Sequence, residues 1–291
     1  MKKYFFPILF ISLGLPVFVS AEEYSAHSIR SFARSLIGRK EYYRALVELK
    51  RLRSYYPGYL TPLAYNVTEQ YLLFKGKQYS SILRREAAPA DPLNRTADLL
   101  FRCDAAIETS DISGLASALA SWQSGVDPFY DRCLRKRRLF AHLMARRYDA
   151  AAELCGNGTT ADFSSCRELI ERARAGFSYE KKPYAAALLG LLPGMGYIYA
   201  GEIATGIIAF LLITVDVIVT YFAFRTHNEV IGYFTGVIGG FFYGGSIAGG
   251  YLAAQRFNTG LATSTRATLS LDLRLEDDRD EIFKRNGIGS E

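Results

Sequence analysis

The chain has 291 residues, enough for one or two domains, and 49% of them are hydrophobic, which fits a globular part joined to a membrane part. Its net charge of +6 belongs to the water-exposed part, because charged residues nearly vanish between Pro183 and Gln255. This division excludes a single domain of uniform character.

The first residues predict a secretory signal peptide over residues 1–21. Lys2 and Lys3 form its positively charged start and an apolar stretch follows. Val19 and Ala21 supply the small residues that signal peptidase requires, so cleavage is expected after Ala21. An uncleaved anchor helix is the alternative. In either case the following residues are exported.

Residues 26–176 carry an internal repeat that predicts an all-α fold. Small residues recur at steps of 36, 35 and 35 positions, each early in a predicted helix. An aromatic residue precedes three of them, and a proline follows three of them by 11 or 12 positions, where it would end the helix. The small residues are Ala45, Ser81, Ala116 and Ala151, the aromatic residues Tyr42, Tyr79 and Tyr148, and the prolines Pro57, Pro92 and Pro128.

This arrangement resembles the tetratricopeptide repeat, in which a small residue lies where two helices cross closely. The resemblance implies stacked helix pairs over residues 22–180, with a concave groove that binds peptide or protein and has no chemistry of its own. Tyr42 and Tyr79 are therefore candidate partner-binding residues, although most aromatic residues at such positions serve ordinary packing. A helical bundle with coincidental spacing is the alternative, and it is also all-α.

The four cysteines all lie in the exported part. Because their number is even and the compartment is oxidising, the sequence predicts two disulfides. We favour Cys103 with Cys133 and Cys155 with Cys166, since each pair joins neighbouring predicted helices. A metal site is the weaker alternative, because no two cysteines have the spacing of a zinc knuckle and His142 is the only histidine nearby.

Residues 181–258 have the composition of a membrane domain. Two spans are predicted, at residues 203–224 with one charge and at residues 230–254 with none. Each is long enough to cross a hydrocarbon core of roughly 30 Å. The preceding residues, 184–200, carry a proline-glycine pair in the middle and predict a broken or re-entrant segment. A third span is the alternative, and it would move the C-terminal tail to the opposite side.

The sequence PGMGYIYAGE at residues 193–202 contains the motif Pro-Gly-x-Gly-x-x-Tyr-x-Gly. It resembles the signature of a small two-helix transmembrane domain of bacterial membrane proteins, often fused to tetratricopeptide repeats. The ending GGYLAAQRFN at residues 249–258 also resembles the close of that domain. The family is mostly uncharacterised, so the resemblance implies an architecture and no reaction. The matching residues are Pro193, Gly194, Gly196, Tyr199 and Gly201.

The second span carries a ridge of small residues at steps of four, which lets another helix approach closely. A tight hairpin with the first span is the favoured interpretation, and self-association or a glycine-lined pore are the alternatives. The ridge consists of Gly232, Gly236, Gly240, Gly244 and Ala248.

Asp216 lies near the middle of the first span. A carboxylate there is costly unless it is protonated, paired or hydrated, so it is a functional candidate. Hydrogen bonds from Thr214, Thr220 or Tyr243 would make it a link between the helices. Ion or proton handling is the alternative.

The export signal predicts that the polar tail, residues 259–291, lies on the same outer side as the repeat domain. Residues 267–275 alternate between apolar and polar side chains and predict one exposed strand. The acidic residues that follow predict a solvated turn.

No phosphate loop, nucleophile elbow or paired-histidine motif occurs, so the sequence predicts no catalytic residue, no metal, no cofactor and no enzyme. The basic run at residues 132–138 is interpreted as a solvated helix face, and an exported protein is not expected to bind nucleic acid. The expected partners are the lipid bilayer, a protein bound by the repeats and a second copy of the chain. The favoured function is a membrane-anchored protein-interaction adaptor in the bacterial inner membrane, with its repeat domain in the periplasm. The alternative is an oligomeric channel or transport component.

Overall fold

The structure is a computed structural model and describes residues 25–85, 90–156 and 166–288. Every regular element within these ranges is an α-helix, so the all-α prediction is confirmed. The predicted signal peptide lies outside the described residues. The fourteen helices in these ranges are α1 (Ala26–Gly38), α2 (Tyr42–Tyr55), α3 (Pro62–Lys75), α4 (Tyr79–Leu83), α5 (Pro92–Glu108), α6 (Ile112–Ala120), α7 (Pro128–Met144), α8 (Tyr148–Gly156), α9 (Cys166–Ser178), α10 (Pro183–Leu189), α11 (Met195–Ala200), α12 (Ile203–Arg225), α13 (Glu229–Asp272) and α14 (Leu275–Asn286).

The helices form two compact units. The first unit contains the described residues of Met1–Thr109 together with Arg279–Glu291, and the second contains those of Ser110–Asp278. Helix α14 therefore begins in the second unit and ends in the first.

Helices α1, α3, α5 and α7 begin in the same way. A side-chain oxygen of the preceding residue accepts a hydrogen bond from a backbone N–H of the first turn, which satisfies a donor that the helix itself cannot use. These capping residues are Ser25, Thr61, Asp91 and Asp127. Prolines occupy the first turn of α3, α5 and α7, where no backbone N–H is needed. Pro92 and Pro128 thus begin a helix, whereas the repeat pattern placed them where a helix ends.

Helices α2, α4, α6 and α8 also share a local feature. Each begins two positions after a residue with a left-handed backbone, and the four φ angles lie between 58° and 62°. Non-glycine residues rarely adopt this conformation, so its recurrence indicates that the four turns are alike. The residues are Lys40, Lys77, Ser110 and Arg146.

The small residues of the sequence repeat divide into two groups. Ala45 and Ala151 are completely buried, as a close helix crossing requires. Ser81 and Ala116 are exposed, and in both cases an apolar neighbour in sequence is buried instead.

The C-terminal tail is helical, so the predicted strand and solvated turn are wrong. Thr265, Leu269 and Leu273 are buried at steps of four, whereas Leu271 is 73% exposed. This is the burial pattern of a helix, in which residues four apart share a face. The strand was predicted because leucines alternate with polar residues between positions 269 and 275.

Two helices, α12 and α13, are long and apolar enough to cross a membrane. Helix α13 has 44 residues, which corresponds to about 66 Å, so it continues well beyond the span predicted for it. Its C-terminal part packs in the second unit against α9, where a Cβ atom on Gly176 would lie 2.6 Å from the hydroxyl oxygen of Thr265.

Candidate functional site

The Pro-Gly-x-Gly-x-x-Tyr-x-Gly motif forms the turn between α10 and α11 and packs it against α12 and α13. Gly194 has a φ of +80°, and a Cβ atom there would lie 2.0 Å from the carbonyl oxygen of Gly206 on α12. Its backbone N–H donates to Oγ of Ser246 on α13 at 3.1 Å. Only glycine combines this left-handed backbone with so close an approach.

Gly196, the second glycine of the motif, brings α11 into direct contact with α13. A Cβ atom on it would lie 2.5 Å from the carbonyl oxygen of Ala186 and 3.1 Å from Cα of Gly250. In the reverse direction, a Cβ atom on Gly250 would lie 2.9 Å from Cα of Gly196. The two helices therefore pack backbone against backbone, which small residues permit in membrane proteins.

Tyr199 and the Arg-Phe-Asn ending of the predicted domain meet near the start of α10. The Tyr199 hydroxyl accepts a hydrogen bond from the backbone N–H of Lys182 at 3.1 Å. Asn258 accepts from the backbone N–H of Lys181 at 2.8 Å and donates to its carbonyl oxygen at 2.7 Å. The Lys181 ammonium lies 5.2 Å from the ring centre of Tyr199 and 5.6 Å from that of Phe257, within cation–π range. These contacts fix the entry to α10.

The end of α11 lies beside the same part of α13. Gly201 has a φ of +96° and ends α11, and Glu202 then pairs with Arg256 at 2.8 Å. The start of the segment α10–α11 therefore lies beside Asn258 of α13, and its end lies beside Arg256, on the same part of that helix. The middle of the segment contacts Ser246, about 18 Å along α13 from Asn258 at 1.5 Å per residue.

Two side chains of α13 satisfy the backbone of the turn between α10 and α11. The Tyr243 hydroxyl donates to the carbonyl oxygen of Leu191 at 2.9 Å, and Ser246 accepts from Gly194. Backbone groups outside a helix need such partners when water is absent. The polar residues of the second span thus have a structural role in this turn.

The predicted glycine ridge on α13 meets α12 only in part. A Cβ atom on Gly232 would lie 2.8 Å from the Phe224 ring, and one on Gly236 would lie 3.6 Å from the Thr220 methyl group. Gly240 and Gly244 have open space at that position, with no atom within 4 Å.

Asp216 on α12 lies against Gly239, a glycine outside the predicted ridge. A Cβ atom on Gly239 would lie 1.8 Å from a carboxylate oxygen of Asp216. The three predicted donors use their hydroxyl groups elsewhere, because Thr214 donates to a carbonyl oxygen of its own helix, Thr220 to Thr235 and Tyr243 to the turn. The prediction that these residues hold Asp216 is therefore wrong.

The cysteines give one of the two predicted disulfides. Cys155 and Cys166 are bonded, which ties α8 to α9. Cys103 and Cys133 are both buried, and their pairing stays a prediction.

Helix α14 supplies the counter-ion of a buried arginine in the second unit. The side chain of Arg137 is completely buried, and its Nη1 donates to Oδ2 of Asp278 at 2.9 Å and to the carbonyl oxygen of Cys133 at 2.9 Å. Its Nη2 donates to the carbonyl oxygen of Leu275 at 3.2 Å. Lys136 also pairs with Asp278, at 2.8 Å.

The next residue of α14 makes the reverse pairing in the first unit. Arg279 pairs with the buried Asp104 at 3.2 Å, and its guanidinium lies 4.2 Å from the ring centre of Phe74. The rings of Tyr71 and Phe283 stack with their centres 4.1 Å apart.

Ile288 completes the packing of the tail in the first unit. Its side chain is completely buried and belongs to the core that contains Leu36 and Leu49. Its backbone N–H donates to Thr68 at 3.0 Å, and its carbonyl oxygen accepts from Arg34 at 2.7 Å. The residues of the first unit that hold the tail were not identifiable from the sequence, because they lie at least 175 positions before their partners in the tail.

Both candidate partner-binding tyrosines are partly buried. Tyr42 packs against the core of the first unit, and the ring of Tyr79 lies edge-on to Phe74 at 5.2 Å. Their rings thus contribute to packing. Tyr43 and Tyr55 on α2 are 68% and 66% exposed and are accessible to a partner.

Among the described residues, no three histidine, cysteine, aspartate or glutamate side chains come close enough to hold a metal ion. Comparisons of the chain with protein-family models, with curated proteins and with solved structures gave no match.

Proposed function

We propose that this protein is a membrane-anchored adaptor of the bacterial cell envelope. Its helical domain binds a protein partner outside the cytoplasmic membrane, and α12 and α13 anchor it in the inner membrane. Large apolar side chains cover the outside of both helices, among them Ile208 and Phe241, which are 64% and 78% exposed. Such surfaces need a lipid or protein environment. The disulfide between Cys155 and Cys166 supports an oxidising compartment such as the periplasm.

The first unit contains segments from before and after the membrane helices, which supports an even number of membrane crossings. Helices α1 to α5 and residues 279–288 belong to one compact unit, so they must lie on the same side of the membrane. Helices α12 and α13 supply two crossings between them, and the segment α10–α11 enters and leaves at the same end of α13. This topology agrees with an exported helical domain and a tail on the same side.

A repeat architecture related to the tetratricopeptide repeat is part of the proposal. Its support is local, because α1, α3, α5 and α7 all have side-chain caps and α2, α4, α6 and α8 all follow a left-handed turn. Domains of stacked helix pairs bind peptides or proteins on extended surfaces.

The observation that carries the adaptor proposal is how the first unit holds Arg279–Ile288. It does so by the means that protein interfaces use, namely an ion pair, a stacked ring and hydrogen bonds to the backbone. These contacts within the chain support the proposal that the domain also binds a polypeptide segment of a partner.

The test is photo-crosslinking in intact cells. A benzophenone amino acid replaces Tyr43 or Tyr55 on the helical domain, and a control variant carries it at the exposed His227 between the two membrane helices. We expect one abundant protein adduct from the first two positions and none from the control. The absence of protein adducts from every exposed position of the domain would overturn the proposal.

An oligomeric channel or transport component is the second candidate function. It is favoured by the uncovered Gly240 and Gly244, which leave a face of α13 free for another copy, and by the position of Asp216 within the span. Asp216→Asn should then alter the conductance of the protein in reconstituted bilayers. If the unmodified protein has no conductance, this candidate is excluded.

A further inference from the structure

A groove in the second unit lies between α6 and α7 and has a volume of about 330 Å³. Alanines at steps of four line it from both helices, namely Ala116 and Ala120 on α6, and Ala141 and Ala145 at the end of α7. Small side chains on both helices allow a third helix to approach closely, because helix separation depends on the side chains at the contact. None of these residues takes part in the packing of the tail.

Two arginines that line the groove lack a counter-ion. Arg138 and Arg147 are exposed, and neither has a carboxylate partner in the part of the chain that the structure describes. By contrast, Arg137 and Arg146, their neighbours in sequence, each pair with an acidic side chain. The basic run near residue 138 is therefore not a uniform solvated face, because some of its charges are used inside the protein and others are directed to the groove.

His142 also lines this groove, and its pKa is affected by the positive charges of the neighbouring arginines. Burial lowers the pKa of His142, and the nearby Arg138 and Arg147 lower it further. The imidazole is therefore neutral at pH 7, and the charge of the groove comes from the two arginines.

We propose that this groove binds an acidic amphipathic helix of the protein partner. The apolar face of that helix would pack on the alanines, and its carboxylates would pair with Arg138 and Arg147. Arg138 lies on α7 and Arg147 lies in the turn that follows this helix, so the two charges line different parts of the groove. This mode of binding, a helix in an apolar groove with complementary charges at its margin, recurs in protein recognition.

This inference rests on the proposed adaptor function and adds the chemistry of the partner. An anionic lipid surface would also attract the arginines. Lipid headgroups, however, bind cationic side chains on an open surface, so a groove lined with alanines is not required for them.

The binding test uses the full chain in nanodiscs of zwitterionic phospholipid. The probes are two fluorescent 18-residue helical peptides with the same alanine and leucine face, one flanked by glutamates and the other by glutamines. We expect the glutamate peptide to bind at least tenfold more tightly than the glutamine peptide. Equal binding of the two peptides, or no binding of either, would overturn the proposal.

Variants locate the binding site. Arg138→Glu with Arg147→Glu should weaken binding of the glutamate peptide at least tenfold, because both counter-ions are reversed. The matched control, Arg39→Glu with Arg167→Glu, makes the same change in net charge at exposed positions elsewhere and should bind like the unmodified protein. Ala116→Trp fills the groove without a change of charge and should also abolish binding. Circular dichroism confirms that each variant is folded, and unchanged binding by the folded groove variants would contradict the proposal.

Three further outcomes bear on this proposal and its alternatives. If nanodiscs recruit phosphatidylglycerol vesicles through Arg138 and Arg147 and do not bind the glutamate peptide, the groove is a lipid site and the proposal is wrong. If crosslinking from Tyr43 captures a partner that the charge-reversed variant still binds, the adaptor function stands and the groove is not its site. If that capture is lost with Ala116→Trp but not with the matched control, both proposals gain support.

Discussion

Arg137 donates from Nη1 to Oδ2 of Asp278 at 2.9 Å, although 141 positions separate the two residues. The arginine is completely buried, and the aspartate is 7% exposed. The next residue, Arg279, pairs with the buried Asp104. Adjacent residues of α14 thus pair with one buried cation and one buried anion, so the tail helps to keep both charges buried.

Asp278→Ala is expected to destabilise the protein by about 3 to 5 kcal/mol, because it removes a carboxylate that pairs with the buried guanidinium of Arg137. The measurement is urea unfolding of the detergent-solubilised protein, followed by circular dichroism. The exposed neighbour Asp277 is the matched control, and Asp277→Ala should change the free energy of unfolding by less than about 0.5 kcal/mol. Equal effects of the two substitutions would show that the buried pair contributes little.

Gly194→Ala is expected to disrupt the turn between α10 and α11. The left-handed backbone alone costs roughly 1 to 2 kcal/mol with a Cβ atom, and the clash with the carbonyl oxygen of Gly206 adds to it. Gly260→Ala is the matched control, since it lies in α13 with open space around it and should be neutral or slightly stabilising. Thermal unfolding in detergent compares the two variants, and a similar midpoint for both would contradict the role assigned to Gly194.

Gly239→Ala should separate α12 from α13, because the added methyl group would occupy the position of the Asp216 carboxylate. Asp216→Ala removes the obstacle, so the double variant should be more stable than Gly239→Ala alone. This non-additivity is expected for residues in contact and is measured in a double-mutant cycle. Gly244→Ala, at a position with open space, should have little effect on the hairpin. If the effects at 216 and 239 simply add, the two residues do not interact.

His142 should make stability depend on pH. Burial and the two arginines lower its pKa in the folded protein, whereas the unfolded chain retains a value near 6.5. The unfolded state therefore binds more protons as the pH falls, and the stability present above about pH 6.5 is lost progressively below it. Unfolding midpoints between pH 5 and 8 measure this slope, and His142→Gln should reduce it. An unchanged slope in that variant would assign the dependence to other groups.

The parts of the fold that the sequence predicts correctly depend on local patterns. The helical character of residues 26–176 and the two apolar helices are visible within windows of a few turns, because propensity and periodicity act over that distance. The motif around Gly194 was recognisable for the same reason.

Apart from the strand predicted at residues 267–275, the errors concern contacts between distant residues. Nothing in the sequence near Ile288 indicates that it belongs to the core of the first unit, since its partners lie about 220 positions earlier. The predicted ridge has open space at Gly240 and Gly244, and α12 also approaches Gly239, one position away from the ridge, where the Asp216 carboxylate lies. Which glycines of α13 contact α12 depends on the side chains of α12 and cannot be read from the spacing of residues in α13 alone.

The late position of Arg279–Ile288 in the chain has a consequence for biosynthesis. Helices α1 to α5 leave the ribosome about 170 residues before the segment that completes their core, a delay of roughly 10 to 30 s at 5 to 20 residues per second. During that interval the apolar surface around Leu36 and Leu49 is exposed while both membrane helices are still being inserted. The core of the first unit is therefore complete only after both membrane helices have been synthesised, and a chain that ends before residue 279 lacks the contributions of Phe283 and Ile288 to it.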